Sequence, residues 1–298
     1  MTTDNPEWKD TLVKLYALAA RLEGEGQYNL AKLLRAAADS LCRQAAYSLS
    51  MPTDKAALPA EIRETAAALT WLGVSPQLVA ALQQGVEIMA EGRLPLIDVA
   101  PHPYVCRTCG HLLLNQPAGN CPVCSARAGT YQRFLPVYWL DDLEPFEALE
   151  RLRQTPGDVE QLLAGLPEAA LNQPAQDGGW SIRNTLSHLR DAQGVLDFRV
   201  DLYLEQEHPT LESKAVFTWA EQEQDRPPSA RDIFEDYRAS RQETIRKLES
   251  LPLSSWWQTG EHQEFGRVTL RQQVSYFAAH ELTHLPQIDL LRRQIAKG

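Results

Sequence analysis

The stretch His280-Glu281-Leu282-Thr283-His284, close to the end of the chain, decides how the rest is read. On a helix turning about 100° per residue, Leu270, Val274, Phe277, His280, His284, Ile288 and Leu291 share one arc of about 120°. Two imidazoles therefore fall inside an apolar stripe. Side chains at i and i+4 stand one above the other on a helix, so both rings can reach one metal ion. Core histidines with satisfied hydrogen bonds also fit such a stripe, and the spacing alone leaves both readings open.

The same five residues match the HExxH signature of zinc proteases, in which two His bind the metal and the Glu acts as general base. That chemistry needs a third protein ligand downstream. Only 14 residues follow His284, none of them His or Glu, and Leu285-Pro286-Gln287-Ile288 replaces the extended form of the motif. A third ligand, if there is one, must come from upstream.

A chain of 298 residues is long for one core and implies two or three domains. The net charge of −10 is uneven: residues 100–140 carry three basic and no acidic side chains, whereas the flanks are acidic. Nucleic acid is not an expected partner, because its binding depends on a basic surface. Met1 to Asp10 is polar and lacks the apolar core of a signal peptide, and no apolar run approaches the length of a membrane span. Four of the five cysteines form two CxxC pairs, which suits metal binding in a reducing cytoplasm better than disulfides.

Taken in order, residues 7–48 read as two helices separated by Gly24 and Gly26, and residues 60–72 and 76–91 as two more, with Ser75 capping the second before Pro76. Residues 1–99 are thus a helical domain. Cys42, on its second helix, reads as a small buried hydrophobe. Residues 100–140 hold Cys106-Arg107-Thr108-Cys109 and Cys121-Pro122-Val123-Cys124, two thiolate knuckles that can close a tetrahedral site. Pro136 to Glu144 reads as a linker. Residues 141–298 contain four helical patterns and read as a four-helix bundle. The first opens with Thr155 as cap and Pro156 as first helical residue, with a separate preceding helix over 143–153 left open. The second opens at Ser181, the third at Ser229 with Asp232, and the fourth at Thr269. His188 is the one upstream His inside a strong helical pattern; His208 and His262 sit in loop-like sequence, and His102 and His111 in the ribbon.

Three resemblances follow from these residues. Arg21 to Ala38 resembles the helical domain of rubrerythrins, although no His precedes His102 to supply their di-iron ligands. Tyr104-Val105-Cys106 to Cys109-Gly110, then Cys121-Pro122-Val123-Cys124 and Phe134, resembles a rubredoxin-type ribbon, which implies ligation of iron or zinc by all four cysteines. Gly179-Trp180-Ser181-Ile182-Arg183-Asn184, His188-Leu189, Gly266 to Leu270 and His280 to Ile288 resemble the DinB/YfiT-like family. That resemblance implies that His188, His280 and His284 bind one divalent metal: zinc, iron or nickel. Its members include proteins assigned as metal-dependent hydrolases, thiol-dependent transferases and isomerases. A Glu often present five residues after the first His is Gln193 here.

The expected fold is therefore mainly α, and the expected function is an enzyme, a metal-dependent hydrolase or thiol-dependent transferase acting on a small molecule such as a low-molecular-weight thiol. Three neutral ligands leave the ion its full charge, which lowers the pKa of a bound water or thiol. Glu281 is expected as general base or, equally, in a structural salt bridge. Two alternatives are a redox protein passing electrons from ribbon to three-His site and a metal-stabilised binding protein. A homodimer is left open, and a cytoplasmic location is expected.

Overall fold

The computed structural model describes residues 6–49, 56–176, 178–213 and 228–296. They fall into two compact units, one drawn from Met1–Leu94 with Pro103–Arg133 and the other from Pro95–His102 with Phe134–Gly298. Among the described residues no helix is long and apolar enough to cross a membrane.

In the first unit, α1 (Pro6–Gly24) and α2 (Tyr28–Leu49) form a hairpin whose turn uses Gly26 at φ +72°. Only a residue without a Cβ enters that region without penalty. The buried side chains of this pair are Ala19, Ala31 and Ala38, small groups that let the two helices approach closely. A second hairpin pairs α3 (Leu58–Trp71) with α4 (Pro76–Ala90) around Ala66, Val79 and Val86. Ser75 precedes Pro76 as expected, but its hydroxyl donates to Gln77 Oε1 (2.8 Å) instead of capping the backbone. Cys42, expected to be buried, is exposed. The rest of this unit is a small antiparallel sheet of β1 (Pro103–Cys106), β2 (Leu112–Leu114) and β3 (Tyr131–Arg133), with β1 central.

The second unit is a four-helix bundle of α5 (Pro145–Leu163), α7 (Ile182–Glu205), α8 (Ala230–Glu249) and α9 (Leu270–Leu282), joined by the single turn α6 (Glu168–Leu171) and extended by α10 (His284–Ile295). Around the bundle the order is α5, α9, α7, α8, each helix packing on two neighbours. Ser181 with Asn184, Ser229 with Asp232 and Thr269 with Gln272 cap α7, α8 and α9 by reciprocal side-chain bonds, at the starts expected from sequence. Between α7 and α8 lies β4 (Thr210–Leu211), which pairs in parallel with β5 (Thr259–His262); β5 and β6 (Gly266–Thr269) form the hairpin that leads into α9. A Cβ at Gly260 would stand 2.8 Å from the Pro209 carbonyl oxygen, so this strand contact requires glycine. Leu140, in the stretch read as a linker, is fully buried in the bundle core.

Two helix readings are corrected. Thr155 and Pro156 do not start a helix; α5 begins eleven residues earlier at Pro145, capped by Glu144 with Glu147, and runs through Pro156. An interior proline leaves the carbonyl four residues back without its donor and costs about 3 kcal/mol. Here that carbonyl, Leu152 O, accepts instead from Arg241 Nη1 of α8 (3.2 Å). The last helix is not continuous either. Pro286 has no N–H for Leu282 O, and the chain breaks at Thr283, whose amide and hydroxyl both donate to His280 O (3.0 and 2.7 Å).

The bundle has two apolar cores. One gathers Leu152, Leu196, Val200, Leu248, Val274 and Phe277; the other gathers Val159, Leu186, Ile233, Tyr237, Ile288 and Leu291. Between them along each helix runs a buried polar layer of Thr155, Gln193, Arg241, Thr244 and Glu281. Arg241 is its hub. Its guanidinium meets both oxygens of Glu281, donates to Gln193 Oε1 and Leu152 O, and lies 5.0 Å from the Tyr237 ring centroid. Tyr237 donates its hydroxyl to Glu281 Oε2 (3.2 Å), and Gln193 Nε2 donates to Thr244 Oγ1 (2.7 Å). Buried charges persist only when paired and fully hydrogen-bonded, and this layer meets both conditions.

Candidate metal centres

His188 projects from the second turn of α7, His280 from the last turn of α9, and His284 opens α10. The contact of α7 with α9 and α10 brings the three together although 92 residues separate the first two in sequence. One nitrogen from each lies within 4.8 Å of the others. Ring centroids are 5.2 Å apart for His188 and His280, 4.8 Å for His188 and His284, and 4.8 Å for His280 and His284, with interplanar angles of 82°, 67° and 86°. The Nε2 atoms of His280 and His284 stand 3.2 Å apart. His284 Nδ1 faces Gln287 Oε1 at 3.0 Å, which places the proton on Nδ1 and the lone pair on Nε2. Three half-buried imidazoles at steep mutual angles, with one nitrogen of each this close to the others, are what one ion with an open position requires of its ligands.

Burial holds His188 down to about 4, helped by His284, and holds His280 down to about 4, helped by His284 and then His188. Both rings are therefore neutral at pH 7, the state that donates a lone pair. His262, expected in a loop, is buried in β5; burial, then Arg199 beside it, hold it down to about 3. A His whose folded value lies below its ordinary 6.5 disfavours protonation in the fold. The stability it contributes is complete above about pH 6.5 and is lost as the pH falls toward 4. The metal-free protein is expected to lose on the order of 1 kcal/mol per pH unit for each such His over this interval. Urea midpoints at pH 7.5, 6 and 5 would measure it, and a flat profile would contradict the assigned burial.

Glu281, next to His280 in sequence, is fully buried and gives both oxygens to Arg241 and Tyr237. Of the two roles open to it, the geometry favours the salt bridge. Gln193 joins the same layer; its Oε1 accepts from Arg241 Nε where a carboxylate would place a second negative charge beside Glu281. No carboxylate joins the three-His group among the described residues.

Residues 151–288 match the model of the DinB superfamily. This C-terminal part is a DinB-like domain. Among curated proteins, a Bacillus cereus (strain 03BB102) protein named "Putative metal-dependent hydrolase" is 23% identical over 147 residues, covering 49% of this chain and 84% of that protein. A Bacillus anthracis protein with the same wording in its name is 22% identical over the same length and coverage. Among solved structures, YfiT from Bacillus subtilis, described as a probable metal-dependent hydrolase with an unusual four-helix bundle topology, is 19% identical with a TM-score of 0.46, covering 55% of this chain and 94% of its own. A DinB-like protein from Bacillus cereus ATCC 10987 is 16% identical with a TM-score of 0.38, covering 51% and 92%.

Around the DinB-like site the walls are aromatic. Trp139 packs 5.3 Å from His280 and Tyr276 stacks on the same ring at 5.9 Å, while Trp180 lies 5.3 Å from His188. Trp139 and Trp180 did not stand out from periodicity, because they lie in connections outside the helical patterns.

In the other unit, the four cysteines converge as their spacing suggests. Cys106 and Cys124 sulfurs are 3.7 Å apart and Cys109 and Cys121 sulfurs 3.6 Å, far beyond a disulfide bond. A tetrahedron with metal–sulfur bonds of about 2.3 Å has edges of about 3.8 Å, close to these separations. Each knuckle is closed by a residue at positive φ, Gly110 at +78° after the first pair and Ser125 at +61° after the second. The turns aim backbone N–H groups at sulfur: Cys109 and Thr108 at Cys106, and Cys124 and Val123 at Cys121. Burial pushes both thiols up, but these N–H groups, with Tyr131 beside Cys121, outweigh it and hold both below the usual thiol range. His102, read with the ribbon, instead faces the Phe265 carbonyl of the second unit through Nε2 (2.9 Å).

Proposed function

We propose that the DinB-like domain is a metal-dependent enzyme, a hydrolase or thiol-dependent transferase, with His188, His280 and His284 holding one divalent cation. The observation that carries this reading is the convergence of three imidazoles from three helices, with His188 and His280 held neutral by burial. The name "Putative metal-dependent hydrolase" carried by the curated relatives supports the hydrolase form. A cation held there supplies Lewis acidity toward a small-molecule substrate or its nucleophile. The protein's own contribution is rigidity: Gln287 fixes the His284 tautomer, and the pairing of Arg241 with Glu281 anchors the end of α9 between the two histidines. Glu281 is a support in this reading and not the general base.

The four cysteines are proposed to hold a separate structural ion, zinc or iron, since four thiolates leave no open position. Replacing Cys106 and Cys121 with Ser should remove about one metal equivalent and unfold the ribbon, while the three-His site stays loaded. Metal analysis of natively purified protein and variant tests this, and loss of both ions together would contradict independent sites. The enzyme reading is tested by screening the metal-loaded protein for hydrolysis of small esters and amides and for thiol transfer. Activity that survives His284→Ala would show that the three-His site is not responsible.

A further inference from the structure

The aromatic residues around the three histidines differ in how they are held. Trp139 sits on a 3-10 turn (Tyr138–Asp141) tied to α9 twice: its carbonyl accepts from Ser275 Oγ (2.6 Å), and Asp141 meets Arg271 Nη2 (2.6 Å) and Gln272 Nε2 (2.9 Å). With Tyr276, it makes a fixed wall on the His280 side. Trp180 is different. It precedes the α7 cap Ser181 and follows Gly178 and Gly179, in the position where an apolar residue ordinarily folds onto the first turn and is buried. Instead it is 47% exposed and leans on the His188 ring at 5.3 Å and 55°. Next to Trp139 on the other side, Tyr138 is 69% exposed and meets the Trp139 ring edge-on at 5.6 Å. Large aromatic surface left in water beside a converging ligand set is surface reserved for a ligand.

We infer that Trp180 and Trp139, each packed on a different ligand ring of the three-His centre, select substrates carrying a flat, unsaturated or aromatic group next to the group presented to the metal. Indole rings favour offset and edge-to-face contacts with such groups, and each of these two rings already lies against a ligand of the site. The inference rests on the three-His reading proposed above and deepens it. Trp180 is a specificity-determining residue here, not a metal ligand, and it lies outside both apolar cores of the bundle.

The test uses zinc-loaded full-length protein and two metal-directed probes, acetohydroxamate and benzohydroxamate, which share one chelating group and differ in the aryl ring. Calorimetric titration should show benzohydroxamate binding at least about tenfold more tightly. In Trp180→Ala the preference should fall to about twofold or less, with acetohydroxamate affinity and metal content unchanged. Trp139→Leu should also reduce the preference. Equal affinities in the wild type, or an aryl preference that survives both substitutions, would overturn the inference. His188→Ala separates the two levels of argument: if it still binds acetohydroxamate as the wild type does, the three-His reading fails and not only the aromatic one.

Discussion

Arg241→Met is expected to destabilise the DinB-like domain by about 3–5 kcal/mol, because it leaves Glu281 buried, charged and without its bidentate partner. The loss extends beyond the ion pair. Leu152 O, already deprived of an amide donor by Pro156, loses its substitute, and Gln193 Oε1 loses its partner in the same layer. The paired replacement Arg241→Met with Glu281→Leu should recover most of the stability, since a buried pair exchanged for apolar groups of similar volume is often neutral. Urea unfolding followed by tryptophan fluorescence would measure all three proteins. A single variant costing less than about 1 kcal/mol, or a double variant no better than the single, would show that the layer is not the coupled unit described. Metal affinity at the three-His site should stay depressed even in a stable double variant, because nothing then anchors the end of α9 at the right rotation.

His188→Ala is expected to lower metal affinity at the three-His site by more than the tenfold to hundredfold that loss of an outer hydrogen-bond partner costs. His280 and His284 alone offer two nitrogens, which neither define a geometry nor compensate the dehydration of a divalent ion. The effect should match that of His284→Ala, although the two positions are far apart in sequence. Dialysis against a competing chelator, followed by metal analysis, would read it, with the four-cysteine ion as internal control. Full occupancy in His188→Ala would mean the ligand set is wrong. Since His188 is half-buried and makes no side-chain hydrogen bond among the described residues, the substitution should cost the metal-free fold little, so that a loss of metal reads as a loss of ligation.

Sequence alone carried much of this protein. Ser181, Ser229 and Thr269, each followed three residues later by a side chain that can bond back, mark the starts of three bundle helices, because a cap is a local event between neighbours in the chain. The CxxC pairs are equally local, since each knuckle closes within a few residues. The i, i+4 spacing placed His280 and His284 together, and their rings remain adjacent even across the break that Pro286 imposes.

What sequence could not decide depended on partners from other helices. Pro156 reads as a helix start unless a donor for Leu152 O is known, and that donor arrives from Arg241, 89 residues later. Glu281 falls within the histidine stripe on a helical wheel, and only the packing of α8 against the other bundle helices turns its charge toward a guanidinium and so toward a supporting role. Trp139 and Trp180 lie in connections without periodicity, so their approach to the histidines follows from the bundle's assembly and from nothing in their own neighbourhood. Local bonds are written in sequence spacing, whereas the environment of a buried charge is set by whatever packs across from it.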